Sequence, residues 1–241
     1  MQTPRKNRID WEHLCHLLDI VEERQDPRFT EAVFKQVMTE VFRRLAEVRV
    51  IYPVPRRISL GGCMRLLQEY LAELSGGDRL LALTAALFVV IGRRFKLYHE
   101  VRRGNITSAD QATGLTADLE CVSEDNTIVL AVEVKDRALT ISQLRGKIPS
   151  IRERGAFEVF FVAQQGVPKD EADETQALVD HEFISGHNIY ITDLFALARV
   201  ALALIGEESR AEFLSEVGKQ LEQYHSDIQH RRAWARLLST T

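Results

Sequence analysis

The chain has 241 residues, 45% apolar and 27% charged, enough to bury one large domain or a core with a helical appendage. Its formal net charge of −4 argues against a protein that coats nucleic acid indiscriminately, yet permits carboxylate chemistry upon it. An odd cysteine count without a CxxC pair, and histidines without HExxH, argue against a disulfide framework and a thiolate zinc site.

Residues 9–24 place Trp11, Leu14, Leu17, Leu18 and Val21 at helical spacing, and Asp26-Pro27 breaks the pattern. A second helix is expected over 30–47, then an extended connector at YPVPRR (52–57) and a third helix over 63–74. SGG (75–77) ends that helix, and Asp78 helps to begin the next. The 78–94 segment is apolar nearly all round, as a helix buried against a sheet would be. Its LLALTAALFVVIG run (80–92) is too short to span a bilayer, and the basic N-terminus has no apolar stretch, so a cytoplasmic protein without a membrane segment is expected.

Three strands are expected next, over 95–101, 115–122 and 127–134, the last two joined by the turn SEDN. A helix over 139–154 follows, with Thr140 as its cap and Pro149 limiting or bending it. FEVFFVAQ (157–164) reads as a central strand, 170–183 as a helix, NIYIT (188–192) as a strand and 193–205 as an apolar helix. One amphipathic stretch is expected over 207–238. The fold class is therefore α/β, a mixed sheet in the order α-β-β-β-α-β flanked by helices. The expected organisation is an all-helical N-terminal region (1–75), an α/β core (76–205) and C-terminal helices packed on it (206–241).

Side chains alternate faces along a strand. Leu130, Val132 and Val134 then point one way, while Ala131, Glu133 and Lys135 point the other; Asp118 and Glu120 share a face of the preceding strand. Pairing through the turn would bring Asp118, Glu133 and Lys135 to one end of the sheet. Convergent carboxylates repel unless a positive charge lies between them, and a hard divalent cation held by oxygens is the usual solution. Such a cation on a phosphodiester polarises phosphorus and activates water, with a neighbouring lysine as a compact positive charge. The plain alternative is a Glu–Lys pair on a solvated strand.

AD(118)…E(133)VK(135) resembles the PD-(D/E)XK nuclease signature, with Ala117 where the signature's name has Pro. The wider block is similar to the SacI-type restriction endonuclease family through SGGDRLLALTAALF, EVRRGNITSADQATGLTADLEC, LAVEVKDRALTISQL and RERGAFEVFFVAQQGV, roughly residues 75–167. That resemblance implies sequence-specific cleavage of double-stranded DNA with magnesium, as a homodimer, in a restriction system with a partner methyltransferase. It also implies Asp118 and Glu133 as metal ligands, the Val134 carbonyl as a further one, and Lys135 as the residue assisting water.

Glu120 and Gln143 are accessory candidates, with a rim carboxylate and a helix cap as their plainer roles. Arg102, Arg103, Asn105 and Arg137 are candidate DNA contacts; Arg137 has pairing with Glu133 or Asp136 as its alternative. Base-reading side chains are sought in 102–111, 164–176 or the helical N-terminal region. Competing functions are a structure-selective or repair nuclease of the same superfamily, a catalytically silent DNA-binding module, and a glycosidase built on Asp118 and Glu133. The intact acidic pair with its lysine counts against the last two.

Overall fold

The protein is described by a computed structural model covering residues 8–104 and 115–240. It divides into two compact units, Met1–Arg49 and Val50–Thr241. The first holds helices α1 (Arg8–Arg24) and α2 (Pro27–Val48). Gln25 takes a left-handed φ of 48°, and the Asp26 carboxylate accepts the Arg28 N–H (2.9 Å), so the break read at Asp26-Pro27 is a capped inter-helix turn. Trp11, Leu14, Leu17 and Leu18 lie on α1 at the expected spacing and are exposed.

The second unit opens with the expected extended connector and then α3 (Leu60–Leu71), begun by Ser59 Oγ accepting the Gly62 N–H at 3.0 Å. Cys63, Met64, Leu66, Leu67 and Tyr70 join the same buried cluster as the following helix α4 (Asp78–Phe95). The compact units accordingly divide at Arg49/Val50, ahead of the boundary expected near Ser75. SGG is a tight turn between packed helices, with Gly76 and Gly77 at φ 58° and 88°.

The strand expected over 95–101 is shorter and later: β1 is Glu100–Arg103. Lys96 turns left-handed at φ 54°, and Tyr98 folds back so that its hydroxyl donates to the Phe88 carbonyl (2.6 Å). Its ring then fills the space that a side chain at Gly92 would need. Residues 95–98 therefore turn back against α4, and the chain rejoins the sheet at His99, whose N–H donates to the Val122 carbonyl (2.8 Å).

After β1 come β2 (Leu119–Val122), β3 (Ile128–Lys135), α5 (Ile141–Glu153), β4 (Glu158–Ala163), α6 (Ala172–Ile184), β5 (Asn188–Thr192) and α7 (Leu194–Leu204). The expected C-terminal stretch is two helices, α8 (Gly206–Gln223) and α9 (Ile228–Ser239). They are separated by His225 at φ 52° and by Asp227, which accepts the Gln229 N–H at 2.7 Å. The five-stranded sheet runs β1-β2-β3-β4-β5 in spatial order. The β1-β2-β3 meander is antiparallel, while β3-β4 and β4-β5 are parallel, each reached by a helical crossover.

Two apolar layers sandwich the sheet. Leu119, Cys121, Val132 and Val162 face the cluster made by α3, α4, α7, α8 and α9, where Trp234 and Tyr70 pack with ring centroids 4.9 Å apart. Ala131, Val159, Phe161 and Ile189 face Leu144, Ile148 and Ile151 of α5 and the partly buried Leu178 and Val179 of α6. No helix among the described residues is long and apolar enough to cross a membrane.

Candidate active site

The β2–β3 hairpin sets the acidic pair. Ser123 N–H donates to the Thr127 carbonyl (3.0 Å) and Asn126 takes φ 65°, closing the turn read in SEDN. The register pairs Leu119 with Val132 and Glu120 with Ala131, so one further step sets Asp118 across from Glu133. Because pairing partners share a face, Asp118, Glu120, Glu133 and Lys135 stand on the α5 side of the sheet. Asp118 is fixed twice: its carbonyl accepts the Gly104 N–H (2.9 Å), and its Oδ2 accepts the Val134 N–H (2.8 Å).

Glu133 is almost fully buried and carries a lysine at each oxygen. Lys135 Nζ donates to Oε1 at 2.7 Å, and Lys147 Nζ lies 2.9 Å from Oε2. The second contact is ionic; Oε2 itself is buried and accepts no well-aligned hydrogen bond among the described residues. Burial and, after it, the Glu133 charge push the Asp118 carboxyl up from its ordinary value to about 6. The Val134 N–H, Lys135 and Lys147 oppose that rise.

Lys147 was not singled out from the sequence. It sits on α5 one position before Ile148 and three after Leu144, on the stripe that faces the sheet. That helix is anchored firmly. Thr140 and Gln143 form a capping box, and the Ile141 N–H donates to a Glu171 carboxylate oxygen at 2.6 Å. The helix runs through Pro149 to Glu153. A lysine falling on an otherwise apolar helix stripe was the available signal.

The accessory candidates separate. Glu120 is buried and accepts the Thr116 N–H at 2.6 Å, bracing the segment that delivers Asp118. Gln143 is occupied as the capping partner of Thr140, its plainer role. Arg102 bonds Glu100 (3.0 Å) and Asn126 on the hairpin turn. Arg103 is corrected as a DNA contact: its guanidinium is buried, ion-paired to Asp78 at 3.2 Å and laid over the Tyr224 ring at 4.7 Å. Burial pulls its pKa down. Asp78, the first residue of α4 as expected, also accepts the Ser226 hydroxyl (2.8 Å) and meets His230 Nδ1 (2.7 Å), so it anchors β1 as well. Arg137 is exposed; Glu133, one of its alternative partners, is taken by the two lysines. Asn105, with most of the 102–111 segment, lies outside the described residues.

Could this cluster hold a cation? Among the described residues no three His, Cys, Asp or Glu side chains converge, which leaves the Asp118–Glu133 pair. One or two carboxylates completed by substrate phosphate and water suit magnesium better than an all-protein cage would. A repelling carboxylate pair and a buried oxygen lacking a hydrogen bond are what a hard cation would relieve. On strand geometry the Val134 carbonyl joins the same edge: the Lys135 carbonyl accepts from Gln164 on the β4 side, so its predecessor points toward Asp118. The donor set fits.

Residues 57–166 match the SacI restriction endonuclease C-terminal domain. That segment is similar to the SacI-type restriction endonuclease family. The SacI-type match begins at Arg57, well ahead of the block read from sequence, and takes in α3 through β4. Asp118, Glu133, Lys135 and Lys147 all fall inside it. That likeness to a restriction endonuclease domain suggests DNA as the substrate class. A comparison with curated proteins found no match. A separate cleft of about 870 Å³ beside β5 is lined by Gln164, Gln176, Tyr190 and Asp193; Glu133 and Lys135 do not line it.

Proposed function

We propose that the protein is a magnesium-dependent endonuclease that cuts double-stranded DNA at a specific sequence, with a core of the PD-(D/E)XK type. The observation that carries this reading is the joining of Asp118, Glu133 and Lys135 on one face at the open end of the β2–β3 pair, within the segment similar to a SacI-type domain. Asp118, Glu133 and the Val134 carbonyl would hold magnesium, which when bound would polarise the scissile phosphate and ease loss of a proton from the attacking water.

The chain's own groups divide the remaining work. The Val134 N–H fixes Asp118 Oδ2, so that Oδ1 would be the oxygen offered to the cation. Lys135, only partly exposed, brings a compact positive charge beside Glu133 Oε1. There its ammonium hydrogen-bonds an incoming water or a non-bridging phosphate oxygen, and it opposes the negative charge that builds on phosphorus. The water oxygen bonds to phosphorus as one P–O ester bond breaks, leaving a phosphomonoester and a hydroxyl. Glu120 holds the 116–120 turn so that Asp118 keeps its place.

One such cluster per chain cuts one strand, so cleavage of both strands calls for a homodimer. The restriction role further implies a DNA methyltransferase as system partner and a cytoplasmic setting. Lys135→Ala tests the assignment: cleavage should fall by at least about 10²-fold while duplex binding in EDTA stays within about twofold. Undiminished cleavage would remove Lys135 from the chemistry. Sequence-independent nicking by the wild type would instead favour a structure-selective or repair nuclease.

A further inference from the structure

Glu133 meets two ammonium groups, and only one has a place in the nuclease signature. Lys147 reaches Oε2 from a different element, with its side chain 13% exposed and that of Glu133 6%. It brings charge to Oε2, a buried oxygen with no hydrogen-bond partner among the described residues, and it is close enough to Asp118 to act on that carboxyl as well. Among the described residues two carboxylates and two ammonium groups therefore share one small, half-buried space, and their formal charges cancel. A divalent cation held by both carboxylates would leave the cluster with two excess positive charges. Such an arrangement is unfavourable until an ammonium group withdraws or a phosphate arrives.

We infer that Lys147 is a built-in counter-ion occupying a divalent cation's place on Glu133 Oε2, so that the cation loads only as Lys147 is displaced. This rests on the reading of the site as a cation-binding nuclease centre. The two lysines are not equivalent in it. Lys135 neighbours Glu133 on the same strand and keeps a true hydrogen bond to Oε1. Lys147 stands on a helix whose N-terminus is clamped, and its flexible four-carbon stem lets the ammonium leave while the helix stays. A displaced ammonium beside an incoming DNA phosphate ties cation loading to DNA. Lys147 is thus a positioning residue: it holds Glu133 in its buried orientation and sets how readily the cation enters.

The test measures Mn²⁺ binding by calorimetry to the full chain without DNA, in wild type, Lys147→Met, Lys147→Gln and Lys147→Arg, with Asp118→Asn as the control for the site. An opposite charge in contact changes the occupancy of a carboxylate by an order of magnitude or more. Lys147→Met and Lys147→Gln should then bind Mn²⁺ about tenfold tighter than wild type, and Lys147→Arg should stay near wild type. A lysine serving only to support the fold predicts the opposite sign, weaker binding with a lowered Tm. Unchanged or weaker Mn²⁺ affinity in either neutral variant that melts like wild type would overturn the inference, as would no Mn²⁺ binding by any variant. The nuclease reading fails separately, if Asp118→Asn keeps the DNA cleavage that wild type shows.

Discussion

Replacing Asp118 by Asn should stabilise the metal-free protein while destroying its function. The Asp118 carboxyl is pushed from 3.8 to about 6, first by burial and then by Glu133. Each pH unit between these values is worth about 1.4 kcal/mol, which caps the cost of keeping it ionised at neutral pH near 3 kcal/mol. Solvent reaches part of this side chain, so about 1–2 kcal/mol is the working figure. Asparagine keeps an oxygen for the Val134 N–H and turns an amide donor toward Glu133, removing the repulsion without losing the anchor.

The sign follows from the raised folded-state value. The folded chain binds the proton more tightly than the unfolded one, so the Asp118 contribution is fully present below about pH 4 and lost as pH rises through about 6. Urea unfolding in EDTA at pH 7.5 and pH 5 should therefore show Asp118→Asn more stable than wild type at pH 7.5, with the gap narrowed by about 1 kcal/mol at pH 5. Parallel profiles with pH, or a variant less stable at pH 7.5, would refute the repulsive cluster on which the account depends.

Arg103→Met should cost about 2–3 kcal/mol in urea unfolding, because it leaves the half-buried Asp78 without its guanidinium partner; loss of DNA affinity at unchanged stability would instead return Arg103 to the DNA surface. Gly92→Ala should lower stability by about 1–3 kcal/mol in thermal melts, since its Cβ would sit 2.2 Å from the Tyr98 ring. An unchanged Tm would mean that 95–98 does not fold back on α4 as described.

Much of the site was legible because strands announce their faces. Charges at 118, 120, 133 and 135 interrupt otherwise apolar segments at even spacing, and the SEDN turn fixes the register that makes them neighbours. The central position of β4 was legible for a related reason, as an unbroken apolar run suits a strand covered on both faces. Lys147 was not, because the apolar stripe of α5 marks the face that docks but not which strand end that face meets. The fate of Arg103 depends on Asp78, Ser226 and His230, brought together by tertiary packing from far apart in the chain.

Other misreadings have local causes. Residues 95–98 carry aromatic and apolar side chains that favour strands, yet Lys96 adopts a left-handed turn for which its type gives no hint. SGG has linker composition but serves as a tight turn, while the division between compact units falls just ahead of the proline-rich connector. The break between α8 and α9 contains neither Gly nor Pro; Asp227 as a cap was its one readable mark.

Asp118, Glu133 and Lys135 are proposed to form a metal-dependent, sequence-specific nuclease site. The most direct measurement incubates the purified protein with supercoiled plasmid and long linear duplex DNA, in Mg²⁺ and in EDTA, beside Asp118→Ala. Discrete fragments in Mg²⁺ alone, and none from the variant, are the expected result. Intact DNA with every divalent cation tried, or the same fragments from Asp118→Ala, would contradict it.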